Sequence, residues 1–144
     1  MNGGKVFVDT IVIVYAYDRS AGEKHHKAME TMKDLWSAGH GMTSTQVLQE
    51  FFVSVTRKIT KPLDISSAKA IVKDLLKWKT VTIDGEIILE AIDIHVEHGY
   101  SFWDSVIIAS ALSGGAGTLL SEDLSDKHRI KGIVIKNPFS RGES

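Results

Sequence analysis

Asp104 is an acidic residue in a segment that is predicted to be buried, where a carboxylate needs a binding partner. Asp104 falls near the start of Ser101–Leu112, a segment that is apolar almost all round and therefore predicts a buried helix. At helical spacing Asp104 shares one face with Ile107 and Ala111, so it heads the stripe that points inward. A buried carboxylate must be neutralised, hydrogen-bonded or bound to a cation. Asp104 is therefore either the cap of a Ser-x-x-Asp helix start or part of a charged site.

Three further acids lie where a parallel sheet would bring them to the same place. Asp9 ends the first predicted strand, Asp123 follows the fourth, and Glu50 borders the apolar stripe of the helix after the second. In such sheets, functional residues gather beyond the carboxyl ends of the strands, where the strand order reverses. If the first and fourth strands are neighbours, these acids converge with Asp104, whose helix leads into the fourth strand. Singly, each acid has a structural alternative, in a turn or on a solvated helix face.

The chemistry of such a cluster follows from its charge. Clustered carboxylates repel one another, so some would stay protonated unless a cation joined them. Oxygen ligands without cysteine or a histidine pair suit Mg²⁺ or Mn²⁺. One ion, or a pair about 4 Å apart, can activate water and stabilise the charge of a phosphodiester under attack. Asp9 and Asp104 are the first-choice metal ligands and Asp123 the next, whereas Glu50 would bind a metal or orient the attacking water.

The elements that must position these acids alternate between strands and helices along the chain. The predicted strands are Lys5–Asp9, Met42-Thr43, Val81–Ile83, Thr118–Ser121 and Ile133–Ile135. The predicted helices run over Lys24–Trp36, from Ser44 or Thr45, from Ser66, over Glu86–His98 and over Ser101–Leu112. The apolar run Ile11–Tyr17 shows no periodicity that separates strand from helix. Strands separated by helices indicate one α/β domain with a mainly parallel five-stranded sheet between helical layers.

Composition limits the classes of function. The chain has 144 residues, 43% of them hydrophobic, no cysteine, and a formal charge of −1 from 17 basic and 18 acidic residues. This charge means that affinity for nucleic acid must come from a local basic patch or a bound metal. The longest apolar runs are too short to span a bilayer, and the N-terminal residues lack an apolar signal segment. The sequence therefore predicts a cytoplasmic protein, in agreement with the absence of cysteine.

The order and spacing of the four acids resemble the acidic motifs of PIN domains, and in particular those of VapC-like ribonuclease toxins of type II toxin–antitoxin pairs. The motifs read Val6-Phe-Val-Asp9-Thr10, Glu50, Phe102-Trp103-Asp104 and Leu120-Ser-Glu-Asp123-Leu124. The resemblance extends to the closing Asn137-Pro138-Phe139. One position departs from the family pattern, because Ile11 stands where the family usually has a polar residue, commonly Asn. Ile11 cannot form a hydrogen bond that would steady Asp9 or a substrate.

This resemblance implies a fold, an activity and partners. It implies a sheet ordered 3-2-1-4-5, cleavage of RNA that depends on one or two Mg²⁺ or Mn²⁺ ions, an antitoxin protein and a homodimer. By resemblance, the metal-binding and water-activating residues are Asp9, Glu50, Asp104 and Asp123, supported by Thr10 and Ser121. The nuclease domain is expected to span residues 1–139, followed by a polar tail at 140–144.

Basic and aromatic residues near the predicted site are candidates for contact with RNA. The basic candidates are Arg57, Lys58, Lys61, Arg129 and Lys131, and the candidates for base stacking are Tyr15, Tyr17 and Trp103.

Two other functions are compatible with parts of the pattern. A signalling receiver domain would use Asp9 for Mg²⁺ and Asp84 as phosphoacceptor, with Ser121 and Lys136 as weak support. In that case, however, a second acid is expected beside Asp9, where Thr10 stands. A degenerate PIN domain that binds a partner without catalysis is the other possibility, and it is motivated by Ile11.

Overall fold

A six-stranded sheet lies at the centre of the molecule, for which a computed structural model describes residues 4–124 and 128–140. The strands are β1 Lys5–Val8, β2 Gly41–Ser44, β3 Lys79–Val81, β4 Ala116–Leu120, β5 Arg129–Ile130 and β6 Ile133–Lys136. Their spatial order is β3-β2-β1-β4-β6-β5, and every pair is parallel except β5 with β6. The five parallel strands have the predicted order 3-2-1-4-5, with β6 as the fifth. The prediction of five strands in total was one short.

The additional strand, β5, results from a two-residue hairpin turn. Its two residues pair antiparallel with the start of β6. The turn consists of Lys131 and Gly132, which both have positive φ angles, 50° and 91°. Two consecutive residues with positive φ form a turn whose twist matches that of the flanking strands. Lys-Gly is a weaker hairpin signal than Asn-Gly or Asp-Gly, and a two-residue strand has no detectable alternation, which explains why the sequence did not predict β5.

Helices connect the parallel strands. In the described ranges the α-helices are α1 Thr10–Tyr17, α2 Glu23–Ala38, α3 Thr45–Val53, α4 Ile65–Leu75, α5 Gly85–His98 and α6 Phe102–Gly114. A short 3₁₀ turn, Arg19–Ala21, follows α1, and a π-helical turn, Ser54–Lys58, continues α3. None of the helices within residues 4–124 and 128–140 is both long enough and apolar enough to cross a membrane.

Two consecutive residues of β2 show that helices cover both faces of the sheet. Gly41 and Met42 point to opposite faces, because side chains alternate along a strand. A Cβ on Gly41 would overlap the indole of Trp78, which packs against Trp36 of α2 with ring centroids 5.1 Å apart. On the other face, a Cβ on Gly114 of α6 would overlap the side chain of Met42. The sheet therefore lies between two helical layers, as predicted.

The ambiguous run Ile11–Tyr17 is helical in the structure. Asp9 caps it, and Val12, Ile13 and Val14 are all buried. Packing of α1 against both α2 and α3 explains this burial. A helix buried on most sides shows no amphipathic period, so the sequence alone could not distinguish it from a strand.

Candidate active site

Asp9 is fixed at the carboxyl edge of the sheet by the two central strands. Val8 of β1 pairs with Leu120 of β4, so the residues that follow them, Asp9 and Ser121, become neighbours. The Asp9 carboxylate is the N-cap of α1 and accepts a 2.7 Å hydrogen bond from the Thr10 amide at Oδ1. Its Oδ2 accepts a 2.9 Å hydrogen bond from the Ser121 hydroxyl. Asp9 is only 8% exposed, so two donors hold a nearly buried carboxylate in one orientation.

Glu50 reaches the same edge from α3. Ser44 ends β2 and caps α3, so this helix begins at the carboxyl edge. The Thr10 hydroxyl donates a 2.6 Å hydrogen bond to Oε1 of Glu50, and the Gln46 amide donates a 3.1 Å hydrogen bond to Oε2. Thr10 therefore contacts two acids at once, Asp9 through its backbone and Glu50 through its side chain. Both oxygens of Glu50 are held although the residue lies on an exposed part of the helix.

Asp104 and Asp123 complete the group. Asp104 lies in the first turn of α6, where its amide donates a 3.1 Å hydrogen bond to the hydroxyl of Ser101, the N-cap. The Ser-x-x-Asp sequence thus starts a helix, and the same carboxylate also faces the site. Asp123 follows β4 in an exposed loop. One cavity of about 160 Å³ joins these acids, and its lining comprises Asp9, Thr10, Ile11, Val14, Gln46, Glu50, Ser54, Trp103, Asp104, Ile107 and Asp123.

Two of the carboxylates, Asp9 and Asp104, have a raised pKa. Burial, the largest cause, raises the pKa of Asp9 from 3.8 to about 6, against the opposing effect of the hydrogen bonds from Thr10 and Ser121. The charges of Glu50 and Asp104 raise the Asp9 pKa further. The pKa of Asp104 is also raised, first by burial and then by Asp123 and Glu50, while hydrogen bonding with Ser101 lowers it. Such mutual repulsion in a concave site is typical of a place that binds a cation.

The donor set fits a hard divalent cation. All four acids offer oxygen, which Mg²⁺ and Mn²⁺ prefer, and the cavity brings oxygen from four separate elements together. Within the described residues, no three His, Asp or Glu side chains lie close enough together to hold an ion without moving. Like charges repel one another, and a bound cation would draw the carboxylates together. Asp9 and Glu50 are already held in place by hydrogen bonds, so Asp104 and Asp123 are the residues that would have to move.

The predicted RNA-contacting residues divide into those near the cavity and those away from it. Lys58 lines a groove with Thr10 and Glu50, and Arg57 precedes it in the same π-helical turn. Trp103 is 64% exposed and lines the cavity itself. Lys58 and Trp103 therefore lie beside the acids, whereas Arg57 is an exposed neighbour of Lys58 in the sequence.

The other candidates lie elsewhere or are engaged. Lys131 precedes β6, so it lies at the amino ends of the parallel strands, whereas the acids lie at the carboxyl ends. Its Nζ is 3.2 Å from Oε2 of Glu90 on α5. Arg129 is exposed on the edge strand β5, and Lys61 is exposed in the loop before α4. Tyr15 donates a hydrogen bond to Glu122, and Tyr17 packs edge to face on Phe51.

Three neighbours of the acids were not predicted to act at the site. Gln46 and Ser54 line the cavity, and Gln46 is hydrogen-bonded to Glu50. The separation of four residues between Gln46 and Glu50 on one helix is the sequence signal that would have indicated this contact. Lys24 forms an ion pair with Glu122. The charge of Glu122 is therefore already balanced, although Glu122 is next to Asp123.

Ile11 is both a packing residue and a part of the site. Its side chain is partly buried against the core and also lines the acidic cavity. Both oxygens of Asp9 are hydrogen-bonded without it, by the Thr10 amide and the Ser121 hydroxyl. An apolar residue at position 11 therefore leaves the orientation of Asp9 intact.

Comparison with known proteins relates this geometry to a family and to a fold. A model of the PIN domain family matches residues 6–128. A search of curated proteins found no match.

Asp84, the phosphoacceptor in the receiver interpretation, caps α5 and is not among the residues that line the acidic cavity.

Several solved structures share the fold. VapC20 of Mycobacterium tuberculosis, described as a sarcin–ricin loop cleaving toxin, is 22% identical with a TM-score of 0.60, over 80% of this chain and 87% of that one. A toxin–antitoxin complex from Klebsiella pneumoniae is 14% identical with a TM-score of 0.71, over 95% and 100% of the two chains. DNA-bound VapBC from Salmonella typhimurium is 18% identical with a TM-score of 0.66, over 94% and 98%.

Proposed function

The chain belongs to the PIN-domain family, and from this premise we propose that it is a divalent-metal-dependent endoribonuclease and the toxin of a type II toxin–antitoxin pair. The main support is the cavity in which Asp9, Glu50, Asp104 and Asp123 meet from four separate elements. Burial, together with the charges of Glu50 and Asp104, raises the pKa of Asp9 to about 6, and a bound cation would offset this cost of ionisation. The names of the structural neighbours, a loop-cleaving toxin and toxin–antitoxin complexes, are consistent with this function.

In the proposed mechanism, the residues of the chain hold and orient the reacting groups. Asp9 and Asp104 would hold Mg²⁺ or Mn²⁺, with Asp123 and Glu50 as further ligands for one or two ions. When bound, the ion supplies Lewis acidity to the phosphate and lowers the pKa of water. Thr10 and Ser121 keep the Asp9 oxygens in position through their hydrogen bonds. Glu50, held at both oxygens, is placed to orient the attacking water or to bind the ion.

Residues in and around the cavity would supply the contacts to RNA. On the α3 side, Lys58 and Arg57 carry positive charge that would bind phosphates on either side of the scissile bond. On the α6 side, the exposed indole of Trp103 offers a face on which an unpaired base can stack. Stacking requires a base that has left a duplex, so we propose single-stranded or looped RNA as the substrate.

Cleavage of single-stranded RNA by the purified protein tests the enzymatic part of the proposal. We expect cleavage with Mg²⁺ or Mn²⁺ and none in excess EDTA, because in the proposed mechanism the ion supplies both the activation of water and the stabilisation of charge on the phosphate. The readout is the appearance of internal cleavage products from an end-labelled oligonucleotide. Undiminished cleavage in EDTA would contradict the metal dependence. Binding of Mn²⁺ in calorimetry without any cleavage would instead indicate a degenerate PIN module.

A trough on the surface leads from an apolar groove to the acids. The apolar groove lies between α3 and α4, and the groove that contains Lys58 is next to it, because both are lined by Gln49 and Val53. The groove that contains Lys58 is in turn next to the acidic cavity, because both are lined by Thr10, Glu50 and Ser54. The residues that line the apolar groove are Leu48, Gln49, Phe52, Val53, Ile65, Lys69 and Val72. We propose that an antitoxin segment fills this trough, with apolar side chains in the groove and an Arg or Lys against the acids.

Growth of bacteria that express the chain alone tests the toxin part of the proposal. We expect arrest of growth with the wild-type chain and normal growth with Asp104→Asn, because arrest requires cleavage of cellular RNA. Growth curves and the yield of soluble protein from both strains are the measurements. Normal growth with abundant, soluble and active enzyme would argue for a free-standing RNA-processing enzyme instead.

The oligomer, the location and the domain limits are also proposals. A homodimer would bury the apolar stripe on α5, where Leu89 and Val96 are 65% and 75% exposed. A cytoplasmic location agrees with a sequence that has no cysteine. A domain limit at residue 139 agrees with the edge-to-face packing of Phe139 on Tyr15, whose ring centroids are 5.1 Å apart. Of the predicted tail at 140–144, only Ser140 is among the described residues.

A further inference from the structure

Gln46 is a polar side chain in the wall of the acidic cavity, and only one of its two polar atoms is hydrogen-bonded. It is 8% exposed, and its Nε2 donates a 3.1 Å hydrogen bond to Oε2 of Glu50. Its Oε1 is buried and has no hydrogen-bond partner among the described residues. A buried acceptor without a partner lowers the stability of the folded protein, because water would solvate it in the unfolded chain.

The other contact of Glu50 shows what Gln46 contributes. Thr10 donates to one carboxylate oxygen of Glu50 from α1, and Gln46 donates to the other from the preceding turn of α3. With only the Thr10 contact, the Glu50 side chain could rotate about that single hydrogen bond. The amide of Gln46 removes this freedom, since two donors on two oxygens define the plane of the carboxylate. Gln46 itself has little freedom because it is buried.

We propose that Gln46 is a positioning residue for Glu50, kept for activity at the expense of stability. The proposal rests on the proposed nuclease function and assigns Gln46 a role in it. It touches neither the substrate nor an ion; it acts by holding Glu50 in the orientation that catalysis needs. An apolar residue of equal size would suit the buried wall better and would leave Glu50 mobile, so stability and activity should change in opposite directions.

Replacement of Gln46 by methionine separates these effects. Gln46→Met keeps the length of the side chain, removes the donor to Glu50 and removes the buried, partnerless oxygen. We expect kcat to fall about 10- to 100-fold, as for other groups that orient a catalytic ligand, with KM within about twofold of wild type. We expect Tm in EDTA to rise by on the order of 3 °C. Gln46→Leu provides a second apolar variant if methionine packs poorly.

Thr43→Val is the matched control. Thr43 lies in β2, is fully buried and also has a side-chain oxygen with no partner among the described residues, but it does not line the acidic cavity. Valine has nearly the same shape, so this variant should gain stability as Gln46→Met does and retain wild-type kcat. A loss of kcat in Thr43→Val of the size seen in Gln46→Met would overturn the proposal, since the effect would then follow from any repacking of the core.

Two further results would overturn the role of Gln46. Wild-type kcat in both Gln46 variants would show that Glu50 needs no second donor. A large fall in Tm that accompanies the loss of kcat would show that Gln46 is structural. Failure of the proposed function is a separate outcome, since the wild-type protein itself would then cleave no RNA under any metal condition.

Discussion

Replacement of Asp9 or Asp104 by asparagine is expected to lower the rate of RNA cleavage by about 1000-fold or more, with the fold intact. Asparagine keeps the shape of the side chain but removes the charge that would hold a divalent ion. Losses of this size are typical when a group that stabilises the transition state electrostatically is removed. Both residues line the cavity where the acids converge, so either variant should disable the site as a whole.

The hydrogen bonds around Asp9 explain why Asp9→Asn should fold. The amide oxygen can accept from the Thr10 amide, which donates to Oδ1 in the wild type. The hydroxyl of Ser121, which donates to Oδ2, can rotate and accept from the new NH₂ group. The variant therefore leaves no buried polar atom without a partner at this position.

Single-turnover cleavage rates with saturating Mn²⁺, together with thermal unfolding, test this prediction. The matched control is Asp34→Asn, an exposed acid on α2 that does not line the acidic cavity, and it should cleave at the wild-type rate. Full activity of Asp104→Asn would eliminate the proposed site. A loss of activity that is accompanied by unfolding would show that the carboxylate supports the fold.

Three of the acids could be located from the sequence because each is tied to the end of a secondary-structure element, whereas Glu50 lies within α3 and was found at the border of its apolar stripe. Asp9 ends an apolar strand and Asp104 begins an apolar helix, and both signals are local. Their convergence also required that β1 and β4 be neighbours, which the pairing of Val8 with Leu120 confirms. The order of the parallel strands followed from the resemblance to PIN domains, because the sequence pattern alone does not determine the order of strands.

The features that the sequence did not predict depend on contacts between distant segments. The engagement of Lys131 by Glu90 depends on the hairpin turn that places Lys131 beside α5. Lys24 and Glu122, which form an ion pair, are 98 positions apart in the sequence. Neither contact has a local signal, so a basic residue near the predicted site could not be distinguished from one that is engaged elsewhere.

Without divalent ions, the contribution of Asp9 to the stability of the protein should fall as pH rises from about 4 to about 6. The pKa of Asp9 is about 6 in the folded protein, above its ordinary value of 3.8. Between these values the folded state binds more protons than the unfolded state, so the free energy of unfolding decreases with pH. At 1.36 kcal/mol per pH unit, Asp9 alone accounts for on the order of 3 kcal/mol, an upper estimate. The raised pKa of Asp104 acts in the same direction.

The difference between wild type and Asp9→Asn isolates this effect from other titrating groups. Asparagine does not titrate, so in EDTA the stability of Asp9→Asn relative to wild type should grow from pH 4 to pH 6 as Asp9 of the wild type ionises. Above the pKa of Asp9 the difference should stay constant, because Asp9 is then ionised in both the folded and the unfolded state. Urea unfolding of both proteins at several pH values measures this gain, and a gain that is independent of pH would show that Asp9 has an ordinary pKa.

Addition of Mn²⁺ at pH 7 should then reverse the ranking of the two proteins. A cation favours the ionised carboxylate and so opposes the effects of burial and of neighbouring charge that raise the pKa of Asp9. Binding to the folded state alone adds about 4.1 kcal/mol when the ion is present at 1,000 times its Kd, which exceeds the roughly 3 kcal/mol by which ionised Asp9 destabilises the metal-free protein. Asp9→Asn binds the ion more weakly and should gain less. If Mn²⁺ stabilises both proteins equally, the ion binds away from Asp9. A reversal would instead show that the charge that destabilises the metal-free protein is the charge that holds the metal.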